Sequence, residues 1–231
     1  MELHRLQLLC ISVGILLFAS CTKDAQEDPA DTKSTWVRDL AGDTGASMSD
    51  GTDGKEKRPF YIFLLRLKDQ KQTWIRTAAD SAQYLQTADW DLAFTGPYNS
   101  EVYVNNGSYT GNPGYGGPAA SAIVKQDKPY AQVTEAPSDE IFSQSSIRKI
   151  GQAESENAAG WFTYNMTTHL VKAIKSRTYL IKTPSGKFAK LELINVYKGN
   201  PPVVTDLYWP APYLTFRYFV QEDGSRNLNT Q

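Results

Sequence analysis

The chain has 231 residues, with 24 Lys and Arg against 25 Asp and Glu and a net charge of −1 at pH 7. It carries no basic block, so nucleic acid is excluded as a partner. Sixteen Gly, 12 Pro, 13 Tyr and 5 Trp favour strands and turns over helices.

The first residues read as a secretory leader. MELHRLQ carries one arginine, and LLCISVGILLFA is an apolar run of 12 residues, too short for an ordinary membrane span. Ala19-Ser20-Cys21 then places small residues before a cysteine, the pattern of lipoprotein cleavage and acylation. We expect a signal peptide over 1–20, a lipid on Cys21, a polar acidic tether over 21–35 and one domain over 36–231. Cys10 is lost with the leader and Cys21 is acylated, so no disulfide and no thiolate site remains. One histidine without free cysteine in the mature chain also excludes a zinc finger.

Residues 41–58 hold four glycines and little to bury, which predicts a mobile loop with Met48 exposed. FYIFLLRL (60–67) predicts a strand. TAADSAQYLQT (77–87) fits either a short helix or a strand and turn. DWDLAFTGP (89–97) has period two, which puts Trp90, Leu92 and Phe94 on one face. EVYVN (101–105) predicts another strand, and Asn105-Asn106-Gly107 a hairpin turn. SYTGNPGYGGPAAS (108–121) is a loop long enough to be functional.

SAIVKQ (121–126) predicts a short strand, and APSDEIF (136–142) a helical turn capped by Ser138. GQAESENAAG (151–160) is a polar loop, followed by the strand GWFTYNM. RTYLIKT and KFAKLELINVY flank Pro184-Ser185-Gly186 as an antiparallel hairpin. KGNPPVVTDLYWPAP (198–212) predicts a rigid crossing, and YLTFRYFVQ a last strand. Many closely spaced strands with little helix predict an all-β, mainly antiparallel single domain with long loops.

ADWDLAFTGPYNSEVYVNNGSY, the Gly-Trp strand, RTYLIKTPSGKFAKLELINVY and YLTFRYFV together resemble the HmuY family, the haem-binding lipoproteins of Bacteroidetes. KDAQED after Cys21 is similar to the acidic export signal of their surface lipoproteins. The resemblance covers most of residues 60–220. It implies an all-β fold in which haem is gripped between two finger-like loops by His or Met ligands. It also implies an outer-membrane haem receptor as partner and a lipid-anchored position facing the cell exterior. Counted from Gly160-Trp161, the family ligand position falls on Met166. The second ligand has no counterpart, since the stretch from Pro137 to Gly160 holds neither His nor Met.

The residues leave alternatives open. Met166, two and four positions after Tyr164 and Phe162, is either an iron ligand or a thioether packed on aromatic rings. His169 is an alternative ligand or a solvated strand end. On a regular strand, positions i and i+3 face opposite ways, which would keep both from one iron. Lys172, Lys175 and Arg177 could meet haem propionates or form the wet face of a strand. Tyr98, Tyr109 and Tyr115 on Gly- and Asn-rich loops offer a second role, a non-catalytic surface for glycan or a protein partner. An enzyme is not expected. There is no G-x-S-x-G elbow, and Asp89 and Asp91, the one spaced carboxylate pair considered, read as sheet-edge residues.

Overall fold

The structure is a computed structural model and describes residues 31–49, 54–154, 159–206 and 208–231. The expected leader and Cys21 lie outside the described residues, as do 50–53 of the Gly-rich loop and 155–158 of the polar loop.

In chain order the elements are β1 (Thr35–Ala41), β2 (Ala46–Ser47), β3 (Glu56–Lys57), β4 (Ile62–Arg66), β5 (Lys71–Ile75), α1 (Ala78–Tyr84), β6 (Leu92–Thr95) and β7 (Glu101–Val104). There follow β8 (Ala122–Gln126), α2 (Asp139–Gln144), β9 (Phe162–Tyr164), β10 (Val171–Ala173), β11 (Thr178–Lys182), β12 (Phe188–Asn195) and β13 (Tyr213–Val220). One sheet runs β1-β13-β12-β11-β8 and a second β5-β4-β6-β7, both antiparallel; β9 and β10 form a separate hairpin. The mainly antiparallel all-β expectation holds. So does the Pro184-Ser185-Gly186 hairpin, with Gly186 at φ 78° in the left-handed region the turn requires.

The two sheets face each other across one apolar core. Phe63, Leu65, Leu92, Phe94 and Val102 meet Tyr179, Ile181, Leu191, Phe216 and Tyr218. Phe63 stacks on Phe94 at 4.7 Å, and Phe94 reaches Phe216 across the sandwich at 5.8 Å. The outer faces are also covered. Trp90, Ala93, Leu64 and Ile75 pack beneath Tyr84 and Leu85 of the α1 region; Phe142 of α2 packs on Leu180 and Phe188. β6 is therefore buried at every position, and the expected half-buried strand is corrected. Trp90 precedes the strand and belongs to the outer cluster, whereas Leu92 and Phe94 face the inner core. Period two is present, but both faces found cover.

TAADSAQYLQT resolves as helix. Thr77 Oγ1 accepts the Asp80 N–H at 3.1 Å, and the Asp80 carboxylate accepts the Thr77 N–H at 2.8 Å, a reciprocal capping box. Ser138 stands at the N-cap of α2 without a side-chain cap bond. Asn105-Asn106-Gly107 does not close a hairpin: Asn105 Nδ2 donates to Thr87 O and Trp90 O, and the chain leaves for β8 in the other sheet. The described start of the 41–58 loop is packed rather than bare, because Arg58 grips Asp43 bidentately at 2.5 and 3.1 Å and Ala46 and Ser47 are buried. Burial pushes the Asp43 carboxyl up, yet the bonds from Arg58 and the Tyr61 N–H outweigh it and hold it below the usual carboxylate range. Met48 is exposed, as expected.

Strand registry gives the sandwich two poles. β1 pairs Thr35 with Tyr218 at one end and Ala41 with Tyr213 at the other, about 20 Å away along the strand. At the first pole, Thr32 N–H bonds Thr230 O, and Ser34 Oγ meets the Tyr130 hydroxyl at 2.8 Å. At the second, Gly42 N–H bonds Pro212 O, and Asn99 Oδ1 accepts the Asp43 N–H.

Candidate functional site

The β9–β10 hairpin is rooted by the Gly-Trp pair. Trp161 is 1% exposed and donates Nε1–H to Ser100 O at 2.7 Å. Its own N–H bonds Gly151 O, and the Ala153 N–H bonds Phe162 O. These bonds press residues 151–153 against Gly160, where a Cβ would lie 2.4 Å from Ala153 N. The hairpin rises from there toward the second pole, where the Val171 N–H donates to the Tyr197 hydroxyl at 2.9 Å.

Beyond Tyr164 the chain turns; it does not continue as a strand. Asn165 organises the turn. Its Oδ1 accepts the Thr167 and Thr168 N–H groups at 2.8 and 2.9 Å, its carbonyl accepts the His169 N–H at 2.8 Å, and its own N–H bonds Leu170 O. The expectation that Met166 lies on a strand, on the face of Phe162 and Tyr164, is corrected. Met166 is 74% exposed at the tip, so packing on aromatic rings does not describe it. The rule that positions i and i+3 face oppositely does not apply on a turn. Met166 and His169 share one exposed tip.

His169 has φ 59°, a left-handed conformation uncommon for residues other than glycine. Its Nδ1 lies 2.8 Å from the Tyr164 hydroxyl, and the two rings are 6.0 Å apart. Tyr164 is half-buried and packs on the main core, together with Tyr98. Burial pushes the phenols of Tyr98 and Tyr197 up, and the nearby Tyr164 adds to both shifts. The base of the turn is thus a cluster of phenols, and its tip carries a thioether and an imidazole.

The expected propionate-facing cations separate. Lys172 and Lys175 are exposed. Arg177 is 5% exposed, pairs with Asp127 at 2.8 Å and donates to Gly160 O at 2.5 Å, so it is spent inside the protein. Tyr98 stands apart from Tyr115. Tyr98 follows the Thr95 end of β6 and packs on Phe60, while Tyr115 lies beyond the Val104 end of β7, beside Gln86. The Arg148 guanidinium covers the Tyr109 ring at 3.4 Å. The long 108–121 loop is instead tied down by its asparagines: Asn112 Nδ2 donates to Val104 O and Asn106 Nδ2 to Ser121 O.

Asp89 and Asp91 have different surroundings. Asp91 Oδ2 accepts the Leu67 N–H at 2.7 Å, and burial pushes its carboxyl up. Asp89 lines a crevice of about 80 Å³ with Arg66, Lys71, Thr73, Tyr84 and Trp90, which Asp91 does not reach. A wider groove of about 380 Å³ lies at the first pole between Thr134, Glu135, Arg226, Asn227 and Asn229. Neither concavity adjoins Met166 or His169.

The model of the HmuY protein family matches residues 61–208. Among solved structures, the chain is similar to a protein named as HmuY-like and haem-binding from Bacteroides vulgatus, at 14% identity and a TM-score of 0.41, covering 84% of this chain and 94% of that one. It is also similar to the apo HmuY analog of Tannerella forsythia, at 12% identity and a TM-score of 0.37, covering 82% and 95%. No curated protein matches the chain.

Proposed function

Because the chain belongs to the HmuY family, we propose that it binds haem or a related porphyrin at the second pole, with the 165–170 turn supplying the iron ligand. One observation carries this reading: the thioether of Met166 and the imidazole of His169 stand together on an exposed turn that Asn165 holds in shape. Haem supplies an iron centre that takes axial nitrogen or sulfur donors, and both donor types are present. Met166 is the ligand that the family resemblance implies. Lys172 and Lys175 are the remaining cations suited to propionates. The role needs no covalent chemistry.

In this reading Cys21 carries the lipid, and the protein sits on the outer membrane facing outward, passing its cargo to an uptake receptor. The registry of β1 supports that arrangement. The described chain enters at Asp31 on the first pole, so the turn stands at the end of the sandwich away from the tether.

The test is a haemin titration of the chain from Thr22 onward, followed in the visible spectrum. A sharp Soret band is expected for the wild type and its loss for Met166→Ala combined with His169→Asn. Equal affinity and an unchanged band in the double variant would show that the turn does not hold the iron.

A further inference from the structure

We propose that the crevice beside Asp89 is a carbohydrate site, a socket for one neutral hexose at the end of a glycan chain. It lies on the outer face of the β5-β4-β6-β7 sheet and shares no residue with the 165–170 turn, so it serves a role separate from haem binding.

Two walls build the crevice. On one, the β4–β5 register sets Leu64 opposite Thr73 and Arg66 opposite Lys71, so these four side chains share a face of the sheet. The other wall is the segment from Tyr84 to Trp90, which its own bonds hold in shape. Thr87 Oγ1 donates to Tyr84 O at 2.9 Å and accepts the Asp89 N–H at 3.3 Å, and Trp90 Nε1–H donates to Leu85 O at 3.1 Å. Asn105 Nδ2 fastens Thr87 O and Trp90 O to the end of β7. Leu64 and Trp90 are buried and supply an apolar floor. Walls already ordered in the free protein lose little freedom on binding.

The polar groups around this floor are of two kinds. Arg66 is spent on Asp69, through bonds of 2.9 and 2.5 Å. The other kind is unspent. Among the described residues, no hydrogen bond or ion pair reaches the carboxylate of Asp89, the ammonium of Lys71 or the hydroxyls of Thr73 and Tyr84. They comprise an acceptor with no donor function, a donor with no acceptor function, and two hydroxyls that serve either way. Adjacent hydroxyls of a sugar answer that set. Two of them donate to the two oxygens of one carboxylate while their lone pairs accept from an ammonium or a hydroxyl. The apolar C–H face of a pyranose suits an aromatic ring such as that of Tyr84, whose polar tip adds a further bond.

Charge and size narrow the class. Asp89 offsets Lys71, and Asp69 offsets Arg66, so the crevice carries no net charge to draw a phosphate, a sulfate or a uronate. Its volume of about 80 Å³ is far below the roughly 300–1,000 Å³ that encloses a drug-sized ligand. A tetrapyrrole does not enter it. One edge of a terminal sugar does, with the rest of the glycan left in solvent. Single contacts of this kind bind weakly and gain strength when many copies are displayed together.

The experiment applies the chain from Thr22 onward to an array of neutral and acidic glycans printed at low and high density, with Asp89→Asn, Thr73→Val and Tyr208→Ala alongside. The wild type is expected on glycans ending in neutral hexoses, and chiefly at high density. Asp89→Asn keeps the shape of the side chain but removes the anion, and should cut the signal at least about 10-fold, because bonds to a charged acceptor are lost. Thr73→Val removes one hydroxyl at nearly constant volume and should cut it several-fold. Tyr208→Ala lies on the 198–212 crossing, outside the crevice, and should bind as wild type. Neither Asp89 nor Thr73 spends its side chain on a bond within the described protein, so both variants should melt with the wild type. Retention of no neutral glycan, a preference for acidic glycans, or wild-type binding by both Asp89→Asn and Thr73→Val would each overturn the proposal.

Discussion

Gly160 precedes Trp161 at a point where the backbone of residues 152–153 leaves no room for a side chain. Gly160→Ala would push a methyl to 2.4 Å from Ala153 N and 2.5 Å from Gln152 C, atoms that cannot swing aside. We expect this variant to lose about 2–4 kcal/mol, read as a lowered midpoint in urea with an unchanged m-value. Other residues show how the environment reassigns a side chain. Arg177 reads in the sequence as one of three cations on a wet strand. The structure turns it inward onto Asp127 and Gly160 O, 50 and 17 residues away in the chain. Its charge is legible in the sequence; its partner is not.

At the level of elements, the β9–β10 hairpin owes its two ends to different forces. Its root is apolar, through Trp161 and Phe162 in the main core. Its tip is polar, closed by the carboxamide and backbone of Asn165. Breaking the tip should therefore leave the root intact. Asn165→Ala frees the Thr167 and Thr168 N–H groups. It is expected to speed amide exchange over 166–170 with the global melting temperature within about 2 °C of wild type. If global stability falls in step with exchange, the turn is part of the cooperative core. The turn itself was hard to see in the sequence. YNMTTH continues the strand pattern of GWFTY without glycine or proline, and the left-handed residue is a histidine. The α1 capping box, by contrast, lies in Thr77 and Asp80, three residues apart, and needs only local contacts.

The whole molecule closes its first pole around a buried lysine. Lys190 on β12 is 0% exposed, donates to Tyr130 O, Val133 O and Thr230 Oγ1, and lies over the Tyr130 ring at 4.2 Å. Burial pulls its ammonium down to about 8 from the ordinary 10.5, with nearby Asp31 opposing the shift. Between pH 8 and 10.5 the unfolded chain thus holds a proton that the folded protein has released. Stability should rise with pH across that window, by up to about 3 kcal/mol. Burial pushes Tyr130 and Tyr179 up, so the folded protein keeps phenol protons that the unfolded chain loses above about pH 10. Their contribution is lost beyond that point, and the stability maximum is expected near pH 10. Lys190→Met should abolish the rise between pH 8 and 10 in thermal melts. An unchanged slope would show that Lys190 does not titrate in that range.

Local pattern by itself determined the strand class and the Pro184-Ser185-Gly186 hairpin, because alternation and turn chemistry act over a few residues. Tertiary structure alone decided that β6 is covered on both faces, that Arg177 is consumed and that Tyr98 and Tyr115 stand apart. It also decided that Met166 and His169 lie on one exposed turn rather than on a strand. The physical reason is range. A strand's sequence sets which side chains share a face, but what covers that face comes from segments far along the chain.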